Sequence, residues 1–288
     1  MKRIISLALV AVMLLSCVLA FASCGAKKSD VKVYTEYELT AEKYAFAVAK
    51  ENTELKAAAN ELLAELKANG ELDKIINSFF DGSATFTYTN PVSAVPTGAD
   101  RANYLVVATN AYFPPFEYYE GDKLTGVDMK IASLLAEKLG KTLYINDMEF
   151  DSVIISVKSG DSDIGMAGMT VNEKRLESVD FTTEYYESAQ VLIVREDDKV
   201  FADCKSADDI IAKLEAQKKK FIVGTQNGTT GYMFSAGDEG FGYDGFTNLT
   251  TNGYTTGALA VLDLSNGKIN AVILDKQPAI MIAESTNK

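Results

Sequence analysis

Histidine is absent from all 288 residues. Ser-His-Asp triads, imidazole general bases and His-ligated zinc are therefore excluded. Cysteine is scarce, and Cys17, Cys24 and Cys204 are too few for a disulfide framework. Cationic side chains are outnumbered, with 28 Lys and Arg against 40 Asp and Glu and a formal charge of −12. That balance speaks against a nucleic-acid binder, which needs clustered Lys and Arg for phosphates. No internal repeat or low-complexity tract is visible. What is there is ordinary globular material, 47% hydrophobic and 24% charged, enough for one long or two short domains.

Residues 1–23 read as a signal peptide. Lys2 and Arg3 precede an apolar run from Ile4 to Ala22. The run is long enough to span a bilayer, so an uncleaved anchor is the plainer alternative. Phe21-Ala22-Ser23-Cys24-Gly25 resembles a bacterial lipoprotein cleavage site, with Cys24 lipidated and residues 24–30 as the tether. Leu14-Leu15-Ser16-Cys17 competes, but cleavage there would leave Val18 to Phe21 exposed. Cys204 is expected as a small structural hydrophobe.

Residues 53–80 read as helical. Leu55, Leu62, Leu63 and Leu66 share a face, Asn52 or Thr53 caps, and Gly70 ends the first helix. Residues 82–102, with Pro91, Pro96, Gly82 and Gly98, read as a linker. Strands and helices then alternate: a strand at 104–108, a helix at 127–139 stopped by Gly140, and a strand at 143–145. A helix at 152–159 capped by Asp151 and a strand at 163–167 follow. The alternation recurs with strands at 221–223 and 271–274 around a helix at 256–266. The pattern predicts α/β layers with a largely parallel sheet, in two lobes with a ligand cleft between them.

Four segments can carry chemistry. Thr109 to Glu117 follows a strand, where open α/β sheets bind ligands, and Pro114-Pro115 stiffens it; a packed loop is the alternative. Thr170 with Glu173 forms a capping-box pattern, or Asn172 caps instead. Arg175 just inside that helix either holds a carboxylate through two parallel hydrogen bonds or sits in an exposed salt bridge. Gly224 to Gly231 is a hydroxyl-rich turn suited to an anion, and without a lysine it is no P-loop. Asp275 ends a buried strand, either as a cap for 276–284 or as the partner of an ammonium group. An arginine, an anion turn, a carboxylate and the aromatics Phe113 and Phe150 together suit a zwitterionic amino acid, whose buried charges need partners.

These stretches resemble the amino-acid-binding proteins of ABC importers, the family 3 solute-binding proteins. The resemblance rests on Ala108 to Glu117, Gly126 to Ile131, Ala167 to Thr170 with Arg175, Val179 to Phe181 with Tyr185-Tyr186, Gly228 to Gly231, and Ala271 to Asp275. Lys130 departs from it, standing where the family carries an acid. The resemblance implies a type II periplasmic-binding-protein-like α/β fold of two lobes that close on a free amino acid. It also implies delivery to an ABC permease in the membrane. Arg175, with Thr170 and Thr230, would clamp the α-carboxylate. Asp275, with the Gly168 carbonyl and the Thr170 hydroxyl, would hold the α-ammonium. Phe113 and Phe150 would sandwich the side chain, and Ala167, Gln226 and Thr229 complete the expected ligand set. Asn110 stands where the family often has an acid, which points to a neutral, polar ligand.

Glu38 to Val48, Glu51 to Leu55 and Leu66 to Ile75 resemble the family's C-terminal end, although they precede the rest here, and the chain stops soon after Asp275. A circular permutation is expected. Lobe 2 then comprises 31–43 and 196–288, and lobe 1 comprises 44–81 and 103–188. Crossovers fall at 44–48 and 189–195, and the linker 82–102 joins the former termini. Residue 31 should lie near Lys288. The expected protein is a lipid-anchored, extracytoplasmic monomer with no cofactor, metal or catalytic residue. A dehydratase-like lyase using Glu117, and a sensory module, are the alternatives.

Overall fold

A computed structural model describes residues 28–288; the expected signal peptide, Cys17 and Cys24 lie outside the described residues. Two five-stranded sheets organise the chain. In the first lobe the order is Asp180–Phe181, Ala47–Val48, Ile164–Gly165, Tyr104–Thr109, Thr142–Asp147. In the second it is Val31–Val33, Gln190–Arg195, Ala271–Asp275, Ile222–Gln226, Thr250–Tyr254. The central pairings are parallel, and the short strands contributed from 31–48 and 180–195 are antiparallel.

Helices form where the pattern predicts them. Thr53–Ala68 buries Leu55, Leu62, Leu63 and Leu66 on one face, and the Asn52 side chain accepts from the Leu55 amide at 3.3 Å. Gly70 at φ 74° separates it from Glu71–Phe80, a left-handed conformation that costs glycine nothing. Both helices pack on Val127–Lys138 and join the first-lobe core around Phe116, Met129 and Leu135. The segment expected as a linker is not loose. Phe86 and Tyr88 pack against the same core, Tyr88 bridges to Leu124, and Gly98–Asn103 forms a 3-10 turn.

The second lobe has two cores, one on each face of its sheet. Cys204 is buried in one beside Phe201 and Ile210, as a small hydrophobe. Val31, Val191, Leu264 and Ile282 lie in the other. The first described strand meets the last helix there. The Val31 amide donates to Asn287 Oδ1 at 2.9 Å, and Asn287 Nδ2 donates back to the Val31 carbonyl at 2.8 Å.

Two expectations need correction. Residues 190–195 are not a crossover but a fully paired strand of the second sheet, because their uninterrupted apolar run needs a core on both faces. The lobes are instead joined by the antiparallel pair Glu42–Tyr44 and Tyr186–Ser188. Asp151 is not a cap; Glu149 holds that place and the helix is Phe150–Ser159. Among the described residues no helix is long and apolar enough to cross a membrane.

Candidate functional site

Strand ends from both sheets converge on a small space between the lobes. Asn110, Phe113, Phe150, Gly168, Thr170 and Arg175 line it from the first lobe, and Gln226, Thr229, Thr230 and Asp275 from the second. Ala167 does not line it. Its methyl packs beneath, with Ala47, Ala108 and Val153, because alternate residues leaving a strand face opposite ways.

Arg175 is 6% exposed. Asn172, not Thr170, caps its short helix Glu173–Leu176, accepting from the Arg175 amide at 2.9 Å. Thr170 is thereby free for other work. The guanidinium donates to the Thr170 carbonyl at 2.6 Å and, across the cleft, to the Gly228 carbonyl at 3.0 Å. Those bonds occupy two of five N–H groups and leave three for a carboxylate. The charge lies over the Phe150 ring at 5.3 Å and the Phe241 ring at 5.5 Å, one from each lobe. Phe150 thus supports the arginine as well as walling the cavity. Burial pulls the guanidinium down to about 10, against the charges of Glu42 and Asp275, so it stays cationic.

On the second lobe, Thr229 caps the helix Thr230–Ala236 and donates to the Gln226 carbonyl at 2.8 Å. The Thr230 hydroxyl is buried with no partner. Gly228 sits at φ 71° where a Cβ would lie 1.7 Å from Asp151 Oδ1 of the other lobe. Only glycine lets the lobes approach this closely.

Asp275 is buried, and although it occupies the cap position of Lys276–Asn287 its side chain makes no capping bond. Tyr44 Oη donates to Asp275 Oδ1 at 2.5 Å instead. Burial, and then the charge of Glu42, push the Asp275 carboxyl up to about 7. A cation placed against it would oppose both effects. Glu42 and Tyr44 were not among the expected site residues. The available signal was their spacing: two apart on a strand, they share a face.

At the far end, Asn110 donates to the Met148 carbonyl and accepts from Gln226 Nε2 at 2.8 Å, tying the lobes together. Gln226 Oε1 is left buried without a donor. Asp275 is the one acid lining the space among the described residues.

Behind the Phe113 loop lies a second acidic pair. Glu117 and Asp128 are both fully buried. Tyr185 Oη donates to Asp128 Oδ1 at 2.6 Å and the Gly168 amide to Asp128 Oδ2 at 3.0 Å. Glu117 oxygens meet no donor. Burial first, and then the Asp128 charge, hold the Glu117 carboxyl well above its ordinary range, while burial raises Asp128 to about 6. Glu117 therefore keeps its proton and shares it with Asp128. An acid whose folded pKa is raised favours the fold below its unfolded pKa, and that advantage is lost as pH rises through the folded value. Glu117→Gln supplies a permanent donor. Its thermal stability is expected to exceed wild type at pH 8 by on the order of 1 kcal/mol, with the gain vanishing near pH 4. Equal stabilities across that range would contradict the shared proton.

Residues 105–276 match the bacterial extracellular solute-binding proteins, family 3. The arginine-binding extracellular protein ArtP of Bacillus subtilis is 36% identical over 113 residues, which is 39% of this chain and 44% of that protein. The chain thus spans less than half the length of that relative. The arginine-bound form of truncated ArgBP from T. maritima is 29% identical with a TM-score of 0.54, covering 65% of this chain and 80% of that one. An ancestral arginine-binding protein bound to glutamine is 29% identical with a TM-score of 0.53, covering 64% and 74%.

Proposed function

Since the chain belongs to the bacterial extracellular solute-binding proteins, family 3, we propose that it captures a free amino acid outside the cytoplasm by cleft closure and hands it to an ABC permease. The observation that carries this is the opposed pair in the cavity: Arg175 with spare N–H groups on one lobe and Asp275 on the other. An α-carboxylate pairs with Arg175 and the Thr230 hydroxyl, and an α-ammonium pairs with Asp275. Each buried charge then has a partner. The contacts form fully only when both lobes engage, so the ligand favours the closed state.

The side chain is neutral and polar, and glutamine suits it best. Phe113 supplies an apolar wall, while Gln226 Oε1 needs a donor such as an amide N–H. Among the described residues a guanidinium or ammonium side chain finds no second acid in the lining. The arginine named in the relatives is therefore not the preferred ligand here. Catalysis is not proposed: among the described residues the cavity is lined by one carboxylate, and the ammonium occupies it. A thermal-shift screen of the free amino acids tests this. At 100 times its dissociation constant the right ligand adds about 2.7 kcal/mol. The largest shift is expected from glutamine; the largest from arginine or lysine would refute the specificity.

The chain order is read as a circular permutation. Supporting it, the family match begins at residue 105, yet 31–48 contribute strands to both sheets and 53–80 two helices to the first lobe. The meeting of Val31 with Asn287 also supports it, since the two segments opened from one former loop should lie side by side. Cys24 is read as the lipid attachment. Ser29 is bonded to Ser265 on the second lobe, so the tether leaves from there. Cys24→Ala is expected to shift the protein from the membrane to the soluble fraction; full retention would favour an uncleaved helix.

A further inference from the structure

Glu42 lies one layer behind the cavity, 4% exposed, on a strand that joins the lobes. Its carboxylate is saturated by donors from three directions. Thr40 Oγ1 at 2.7 Å and Gln190 Nε2 at 2.9 Å donate to Oε1, and Thr170 Oγ1 at 2.6 Å donates to Oε2. A hydroxyl has one proton and two lone pairs. With its proton committed to Glu42, the Thr170 oxygen can only accept from whatever enters the cavity it lines.

Resting on the amino-acid reading above, we propose that Glu42 is a positioning residue that makes Thr170 an obligate acceptor and so selects ligands with an α-ammonium over 2-hydroxy analogues. An ammonium carries three protons and serves Asp275 and Thr170 together. A hydroxyl in its place carries one. It can serve Asp275 or Thr170: either Thr170 is left without a donor, or Asp275 keeps only the bond from Tyr44, and a buried acceptor short of donors is expensive.

The test is sharpened by the geometry of Glu42→Gln. Two donors converge on Oε1, so the amide oxygen takes that place and the amide nitrogen faces Thr170. The Thr170 oxygen must then accept from the amide, and its own proton turns away, into the cavity. A 2-hydroxy ligand can now accept from Thr170 while donating to Asp275, whereas an ammonium meets a donor.

Calorimetry on the full chain would compare L-glutamine with (S)-2-hydroxyglutaramate for wild type, Glu42→Gln, Thr170→Ala and the double variant. The preference for the amino acid is expected to fall about tenfold or more in each single variant, and no further in the double, because both changes act on one hydroxyl. A merely structural role would weaken both ligands equally and leave the preference intact; that result overturns the proposal. So does a further loss of preference when Glu42→Gln is added to Thr170→Ala. Thr170→Ala carries the comparison by itself if Glu42→Gln does not fold. Wild type binding neither probe, nor any other amino acid, would overturn the amino-acid reading itself.

Discussion

Arg175→Ala is expected to remove amino-acid binding while the chain still folds. Among the described residues the guanidinium is the one cation lining the cavity, fixed by carbonyls from both lobes and by two aromatic rings. Without it a ligand carboxylate would be buried unpaired, a loss of roughly 3–5 kcal/mol, or more than about 100-fold in affinity. The variant also loses the bond to Gly228 that holds the lobes closed. Arg175→Lys keeps the charge but not the planar fork, and should fall between wild type and alanine. Titration calorimetry reads both; less than a threefold loss in Arg175→Ala would remove Arg175 from the site.

Asp275→Asn should have an effect of similar size on binding and the opposite sign on stability. The asparagine still accepts from Tyr44 but offers no charge to an ammonium, so affinity should fall by roughly 100-fold or more. The carboxyl is held up at about 7 by burial and by Glu42. Its ionisation therefore works against the fold as pH rises from the ordinary carboxylate range through 7. The unliganded variant should melt higher than wild type at pH 8 and show no such advantage near pH 4. Unchanged ligand affinity would contradict the role given to Asp275. A lower melting temperature at pH 8 would contradict the account of its burial.

The two predictions draw on features of unequal visibility in the sequence. Helices with a clean apolar face, such as Leu55, Leu62, Leu63 and Leu66, were legible because periodicity and a terminating Gly70 point the same way. So were the strand ends that carry Asn110, Thr170, Gln226 and Asp275, since a βα turn is marked locally by small and polar residues. The choice between caps was not. Thr170 and Asn172 both fit the start of one helix, and only the pull of Glu42, 128 residues away in sequence, decides that Thr170 turns elsewhere.

The same limit hid Glu42 and Tyr44. Their spacing puts both on one face of a strand, but nothing local says what that face meets. Their role comes from the antiparallel pairing with Tyr186–Ser188, which brings the early strand beside Thr170 and Asp275. The place of the strand 190–195 is hidden for a related reason. A short apolar run reads alike whether it crosses between lobes or completes a sheet, and its partners Val31–Val33 and Ala271–Asp275 lie far off in the chain. The Asn110–Gln226 bond likewise joins two turns that sequence reading treated separately.

Asn110 and Gln226, Arg175 and Gly228, and Lys174 with Asp238 at 2.6 Å all bridge the lobes around one small cavity. Closure and recognition therefore share the same residues. The most direct measurement is a calorimetric titration of ligand-free protein with L-glutamine, run in parallel on Arg175→Ala. The account predicts saturable one-to-one binding by the wild type and none by the variant over the same concentrations. Binding of equal strength by both proteins, or no heat from the wild type with any amino acid, would contradict it.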